Sequence, residues 1–324
     1  MAGQVFDKAE GIPDEAAEGA VHQALARYNA QRALVARRMF FRLMIVIVPL
    51  VIVATMTVGI IVTNGPGLPV YGLILFGFAL FYWGGTLAVL PSRRFQRDFR
   101  AELLPAVFGF VDEFSYRFRT DPDFPASALI DDFVQGLSSK HFYMLSGVHR
   151  GMPFTLTETE FSDNSDGGEG TVFRGIVLQF TLADLFPGTL LVSPQDFSTR
   201  HAKRHFLERR KLISTRSGNR QVDHSFAFRT DALDTATLLL EGEFPEALLC
   251  VGQSWPAGVV QLLLCGDKGF LLFTGRENVF ELPGIDQSIT YETHLRPMIR
   301  DLQSFLTAAN LIRSTAVFKQ EAFS

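Results

Sequence analysis

Three features of the sequence predict an α+β cytoplasmic domain attached to a two-helix transmembrane hairpin. Residues 43–92 contain no Asp, Glu, Lys, Arg or His. That uncharged run is bracketed by arginines, Arg32, Arg37, Arg38 and Arg42 before it and Arg93, Arg94, Arg97 and Arg100 after it. Beyond Lys140, segments of strand and helix character come in clusters rather than in strict alternation, which favours α+β over a doubly wound sheet.

The chain opens on an acidic, Ala- and Gly-rich tail, with Asp7, Glu10, Asp14, Glu15 and Glu18 against Lys8 alone. Ala2 in place of Gly excludes myristoylation. From about Asp14 to Arg42 helix formers thicken ("EGAVHQALARYNAQRALVARR"), which predicts a helix running up to a membrane with Arg at the lipid surface. A helix needs about 20 apolar residues to cross a hydrocarbon core of about 30 Å. Two spans follow, Leu43 to Thr63 and Val70 to Leu90. Between them Asn64 to Pro69 holds two Pro and two Gly, a helix stop and tight reversal.

Two alternatives fit less well. A cleaved signal peptide would not start 42 residues in. A buried hairpin of a soluble protein would show a polar face on such long helices. The arginine flanks, with no Lys or Arg in the turn, place both termini in the cytoplasm by the positive-inside rule. The expected divisions are 1–42 tail and juxtamembrane helix, 43–63 and 70–90 spans, 64–69 external turn, and 91–324 cytoplasmic domain. Thr55, Gly59 and Thr63 recur every fourth residue and would admit a second helix, within the hairpin or in a dimer, or are simply common membrane-helix residues. Gly72, Gly77, Gly84 and Gly85 offer the same on the second span, and Pro49 is a candidate kink. With no ionisable group inside, the hairpin reads as an anchor rather than a conduit.

The remaining residues, 93–324, carry 24 Lys and Arg against 29 Asp and Glu, an ordinary balance for a soluble surface. "FQRDFRAELLPAVFGFVDEFSYRFR" has helical spacing through Phe95, Phe99, Leu103, Phe110 and Phe114, with a bend at Pro105. "FPASALIDDFVQGL" reads as a short helix. "HFYMLSGVHRG", "MPFTLTETEF" and "TVFRGIVLQFTL" read as a strand meander. "DHSFAFRTD" is strand-like, "ALDTATLLLEGEFPEALLCVGQ" is two helices, "GVVQLLLCGDKGFLLFTG" is a hairpin turning at Gly266 to Gly269, and "ETHLRPMIRDLQSFLTAANLIR" is a closing helix.

At 324 residues a sizeable core is available, and a net charge of -4 implies no bulk polyanion partner. Cys250 and Cys265 lack CxxC spacing and a histidine pair, so buried reduced thiols are expected, with a disulfide open only in an oxidising compartment. Asp163, Asp166 and Glu169 in "SDNSDGGEG" do not match an EF-hand loop. His201 and His205 share a helical face, but "AKR" between them lacks the Glu of HExxH and the neighbourhood is cationic, so no metal or cofactor is expected.

The run of residues 200–220 holds eight Lys or Arg against Glu208. It reads as an anionic-lipid contact through Lys203, Arg204, Arg209, Arg210 and Lys211, or as a solvated face; no nucleic-acid partner is expected, since no binding fold or aromatic interleaving accompanies it. Glu158 and Glu160 share one side of a strand and are candidates for acid and base work, or belong to an exposed face. His141 and His149 are further weak candidates. Ser254 in "GQSWPAG" fails the nucleophile-elbow pattern at Pro256.

The hairpin followed by "DFRAELLPAVFGFVDE", "GTVFRGIVLQF" and "FAFRTDALDTATLLL" resembles, over residues 40–313, the bacterial membrane family catalogued as domain of unknown function 3137. The resemblance implies a bacterial inner-membrane protein and carries over no functional residue. The expected function is a membrane-anchored binding or scaffold module with no identifiable catalytic site; the alternative is a membrane-tethered enzyme acting on a lipid or membrane-bound substrate. Expected partners are the bilayer, anionic headgroups, and a second copy or another membrane protein.

Overall fold

A computed structural model describes residues 15–65, 67–118, 137–163, 170–195, 211–255, 259–275 and 279–316. The described chain divides into two compact units, one of helices (up to residue 107, and 282–296) and one of mixed strand and helix (108–281 and from 297 onward). Within the described residues it passes between the units three times, after 107, 281 and 296.

In the helical unit, α1 (Glu15–Asn64) is a 50-residue helix that continues through Pro49. Gly65, with φ of 76°, ends it, because only a residue without Cβ adopts that conformation at no steric cost. The chain re-enters helix at α2 (Leu68–Ala79), where Pro69 sits in the first turn and loses no helical hydrogen bond. A widened turn, Leu80–Gly84, joins it to α3 (Gly85–Val107). Two helices here are long and apolar enough to cross a membrane.

The contact face of α1 follows a three-four spacing: Tyr28 and Thr57 are buried, and Arg32, Val35, Met39, Val46, Leu50 and Val53 are half-buried. This is the seam of two helices packed nearly antiparallel. Gly84 sits on it: a Cβ there would lie 2.8 Å from Val46 Cγ1, so the widened turn brings backbone against the valine. Gly77 faces Val53 and Leu50 at ordinary contact distance, whereas Gly59, Gly72 and Gly85 have open space. Thr55 and Thr63 are exposed, and their hydroxyls donate back to carbonyls of their own helix, Thr55 to Val51 and Ile52 and Thr63 to Gly59. The intramolecular seam thus uses Gly77 and Gly84, and the Thr55, Gly59, Thr63 face looks outward.

The α+β unit is built on one antiparallel sheet. Its strands are β1 (Asp112–Phe118), β2 (Leu137–His149), β3 (Met152–Asp163), β4 (Gly170–Pro194), β5 (Ile213–Thr215), β6 (Phe226–Thr230) and β7 (Val260–Thr274). The order is β1-β2-β3-β4-β6-β5, and β7 pairs with β4. β4 is the spine: its first half pairs with β3, its second half with β6, and β7 follows nearly its whole length. The helices are α4 (Arg220–Ser225), α5 (Leu233–Glu241), α6 (Phe244–Gln253) and α7 (Arg296–Thr315). α4 starts at Asn219, whose side chain accepts from the amides of Gln221 and Val222.

Two expectations are corrected here. The helix predicted through Phe114 stops at Val107, and Phe114 lies in β1; apolar residues three and four apart within "VFGFVDEF" suit helix and aromatic strand alike. The hairpin predicted at Gly266–Gly269 is a single bent strand. Gly266 takes φ of 58°, but β4 bends opposite it between Thr181 and Thr189, and both halves of β7 stay paired to the same partner. The glycines make a bulge rather than a reversal. The predicted helix at 124–137 lies outside the described residues apart from Leu137, which begins β2.

Each face of the sheet is filled. One carries Phe161, Phe173, Val177, Leu191, Leu263, Phe270 and Leu272, with Leu212 and Cys265 against them. The other meets α7 through a chain of aromatic rings, Phe108 to Phe280, Phe280 to Phe305, Phe305 to Phe273 and Phe273 to Trp255, with centroids 4.8 to 6.3 Å apart. Cys250 and Cys265 are free thiols.

Candidate functional site

Two places in the molecule could carry function: a polar clamp on the first half of α1, and the acid and base candidates on the sheet. The clamp grips residues 282–296, a strap of the helical unit that the chain supplies from its last fifth. Leu282, Ile285, Ile289, Tyr291 and Leu295 of the strap are buried, as are Val21, Leu25 and Tyr28 of α1. Burial of each such side chain stabilises by about 1.5–3 kcal/mol.

Residues 282–290 of the strap have no regular ladder, so their backbone groups need other partners. Asn29 supplies two: its Nδ2 donates to the Ile289 carbonyl at 2.7 Å, and its Oδ1 accepts from the Ile289 amide at 3.1 Å. Arg32 Nη1 donates to the carbonyls of Asp286 at 3.1 Å and Ile285 at 3.4 Å. From α3, Arg100 Nη2 donates to the Leu282 carbonyl at 3.2 Å. Tyr28 stacks on Phe99 and Phe95, with centroids 3.9 and 5.3 Å away. Burial pushes its hydroxyl above the ordinary range, while a hydrogen bond with Gln96 and the nearby Arg100 and Arg32 pull the other way. The strap ends where Thr290 accepts from the Thr293 amide and caps the turn leading into α7.

Sequence reasoning counted Arg32 and Arg100 among the lipid-flanking cations; in the structure both bind backbone. The only trace of the clamp in the sequence is "RYNAQR", an aromatic ring and a mid-helix Asn, a residue with poor helix propensity, in a segment otherwise fit for solvent. Farther along α1, Arg37, Arg38, Phe40, Phe41 and Arg42 line an open groove of about 360 Å³. All five are exposed.

The acid and base candidates do not converge. Glu158 is fully buried, contrary to the exposed-face alternative. It accepts a hydrogen bond from the Tyr143 hydroxyl, which in turn accepts from the Phe280 amide at 3.2 Å. Burial is the main cause that raises the Tyr143 hydroxyl far above its ordinary range, and the Glu158 charge and hydrogen bond push the same way. Glu160, half-buried, lies 3.7 Å from the Arg174 guanidinium and accepts from Ser162. His141 is on the opposite face from Glu158, its Nδ1 2.8 Å from the Thr159 hydroxyl.

His149 closes the β2–β3 hairpin, opposite Met152. Six residues of strand separate that pair from Tyr143 and Glu158, about 20 Å at 3.3 Å per residue. Its ring packs edge-on to Phe110, and burial holds its pKa below the usual histidine value against the hydrogen bond the ring donates to the Phe110 backbone.

His201, Lys203, Arg204, His205, Glu208, Arg209 and Arg210 lie outside the described residues, as do Asp166 and Glu169. Lys211 is described and exposed, with φ of 52°. Ser254 ends α6 and donates to the Cys250 carbonyl. Among the described residues no group of three or more His, Cys, Asp or Glu is placed to hold a metal ion.

No curated protein matches the chain. Among solved structures, the crystal structure of the mycobacterial trehalose monomycolate transport factor A, TtfA, is similar at 9% identity, covering 60% of this chain and 88% of that one, with a TM-score of 0.31. The stretch from β4 to α7 holds the spine of the sheet, the strap and the covering helix, and it contains two of the three phrases on which the family resemblance rests. Residues 171–312, that same stretch, match the model of the family described as protein of unknown function, DUF3137.

Proposed function

We propose that this chain is a membrane-anchored binding or scaffold module of a bacterial inner membrane, with α1 and the α2–α3 arm crossing as a hairpin and both termini cytoplasmic. The observation that carries the reading is the Asn29 clamp. The helix that holds the anchor also holds a strap of the C-terminal third by side-chain bonds to its backbone. That arrangement suits a device that holds a folded unit at a bilayer. The arginine flanks and the uncharged run supply the orientation.

The alternative, an enzyme on a lipid or membrane-bound substrate, needs Glu158, Glu160, His141 and His149 to act together. Their separate partners, Tyr143, Arg174, Thr159 and Phe110, give each a structural occupation instead. The outward Thr55, Gly59, Thr63 face is the surface that would meet a second copy or another membrane protein.

Reporter fusions after residue 316 and in the turn at Gly65 test the topology. Cytoplasmic signal from the first and external signal from the second are expected, and the reverse would overturn the reading. Proximity labelling from the C-terminus should then return a reproducible set of cytoplasmic and inner-membrane neighbours; a purely external set would defeat it.

A further inference from the structure

Of the arginines along the helical unit, several have work within the fold. Arg32 and Arg100 hold the strap, and Arg97 lies 3.4 Å from Asp98. Arg37, Arg38 and Arg42 differ. Arg37 lies on the side of α1 away from its contact seam, with Arg38 and Arg42 between that side and the seam; all three are exposed, and among the described residues none has a hydrogen-bond or ion-pair partner. Together with Phe40 and Phe41 they line the groove of about 360 Å³.

From Phe41, between Arg37 and Arg38 on the helix surface, an apolar track continues toward the turn. Phe41, Ile45, Val48 and Ile52 follow one another at spacings of four, three and four, and they are 68%, 59%, 55% and 53% exposed. A cationic cap therefore stands over an uncovered greasy stripe at the place where the uncharged run begins.

We infer that this face of α1 binds one anionic phospholipid, its phosphate held by Arg37, Arg38 and Arg42 and an acyl chain laid along Phe41, Ile45, Val48 and Ile52. A guanidinium presents a planar fork of donors that matches phosphate oxygens two at a time, and it is the side chain suited to this task at a water–hydrocarbon boundary. A phosphate there also relieves the mutual repulsion of three cations within two helical turns. A free phosphate would satisfy the cap alone; the apolar track directly beneath it favours a lipid. The inference rests on the reading that α1 crosses a bilayer.

The test is native mass spectrometry of the full-length chain carried from mild detergent, with phosphatidylglycerol and phosphatidylcholine offered in equal amount. Retention of phosphatidylglycerol over phosphatidylcholine is expected for the wild type. In R37Q/R38Q/R42Q the preference should fall by about tenfold or more, given the attraction each basic residue contributes near an anionic lipid. The triple lysine variant, which keeps the charge, should retain part of it, and R94Q/R97Q should leave it unchanged.

An equal loss in R94Q/R97Q would replace the site by diffuse surface charge and overturn the proposal. Displacement of the lipid by millimolar inorganic phosphate would overturn its lipid character. Alkaline carbonate separates the two readings: release of the wild-type chain would remove the membrane anchor and this site with it. Retention in the membrane without lipid preference would remove the site alone.

Discussion

Asn29 pairs with both backbone polar groups of Ile289, a residue 260 positions away, as a neighbouring strand would. The amide side chain is the only uncharged one that offers a donor and an acceptor in such an arrangement, so its replacements sort by which half they keep. In N29D the carboxylate still accepts from the Ile289 amide but meets its carbonyl with like charge. N29A leaves both strap groups without a partner. Each should destabilise the helical unit by about 1–3 kcal/mol, N29D at least as much as N29A. Thermal unfolding of the full chain in detergent, with protease cutting within residues 282–296 as a local readout, measures it; unchanged protection in both variants would remove the clamp.

Gly84 and Val46 meet where the widened turn touches α1, and Gly85 beside it faces open space. G84A should therefore cost about 1–3 kcal/mol through overpacking, and V46A/G84A should recover most of it because the offending methyls are gone. G85A should be neutral or slightly favourable. Melting temperatures of the three variants against the wild type decide this; equal effects of G84A and G85A would contradict the packing.

Tyr143 stands between Glu158 and the Phe280 amide inside the aromatic core. Y143F deprives both of a partner and should cost about 1–3 kcal/mol, whereas E158Q keeps an acceptor for the hydroxyl and should cost less. The tyrosine's folded pKa is raised, so its contribution is complete below its unfolded value of about 10 and is lost as pH rises beyond it. Near-ultraviolet circular dichroism during alkaline titration should show unfolding above that pH in the wild type and a weaker dependence in Y143F.

His149 gives the opposite sign. Its folded pKa is lowered by burial, so the neutral ring is the native form; the contribution is complete above its unfolded value of about 6.5 and is lost as pH falls through that value toward the lower folded one. The wild type should lose more melting temperature between pH 7 and pH 5 than H149F, which keeps a ring against Phe110 and cannot be protonated. Parallel decline of the two proteins would exclude His149 as the source.

Much of the fold could be read from local pattern. The uncharged run, the Pro–Gly turn, the β2–β3–β4 meander and the pair α5 and α6 follow from periodicity and turn chemistry that act over a few residues. What could not be read depends on partners far along the chain. Gly266 announces a break in β7, but only the matching bend in β4 decides that the break is a bulge. Glu158 alternates like an exposed residue until α7 covers that face. Arg32 and Arg100 have the composition of a lipid-facing flank, and their carbonyl partners lie 253 and 182 residues away.

The strap also has a consequence in time. A ribosome finishes the three helices near residue 107, yet the piece that covers Val21, Leu25 and Tyr28 emerges only near residue 296. At about 5–20 residues per second, that interval is about 10–40 s. During it Tyr28 can already stack on Phe95 and Phe99, while Val21 and Leu25 wait for the late-made strap.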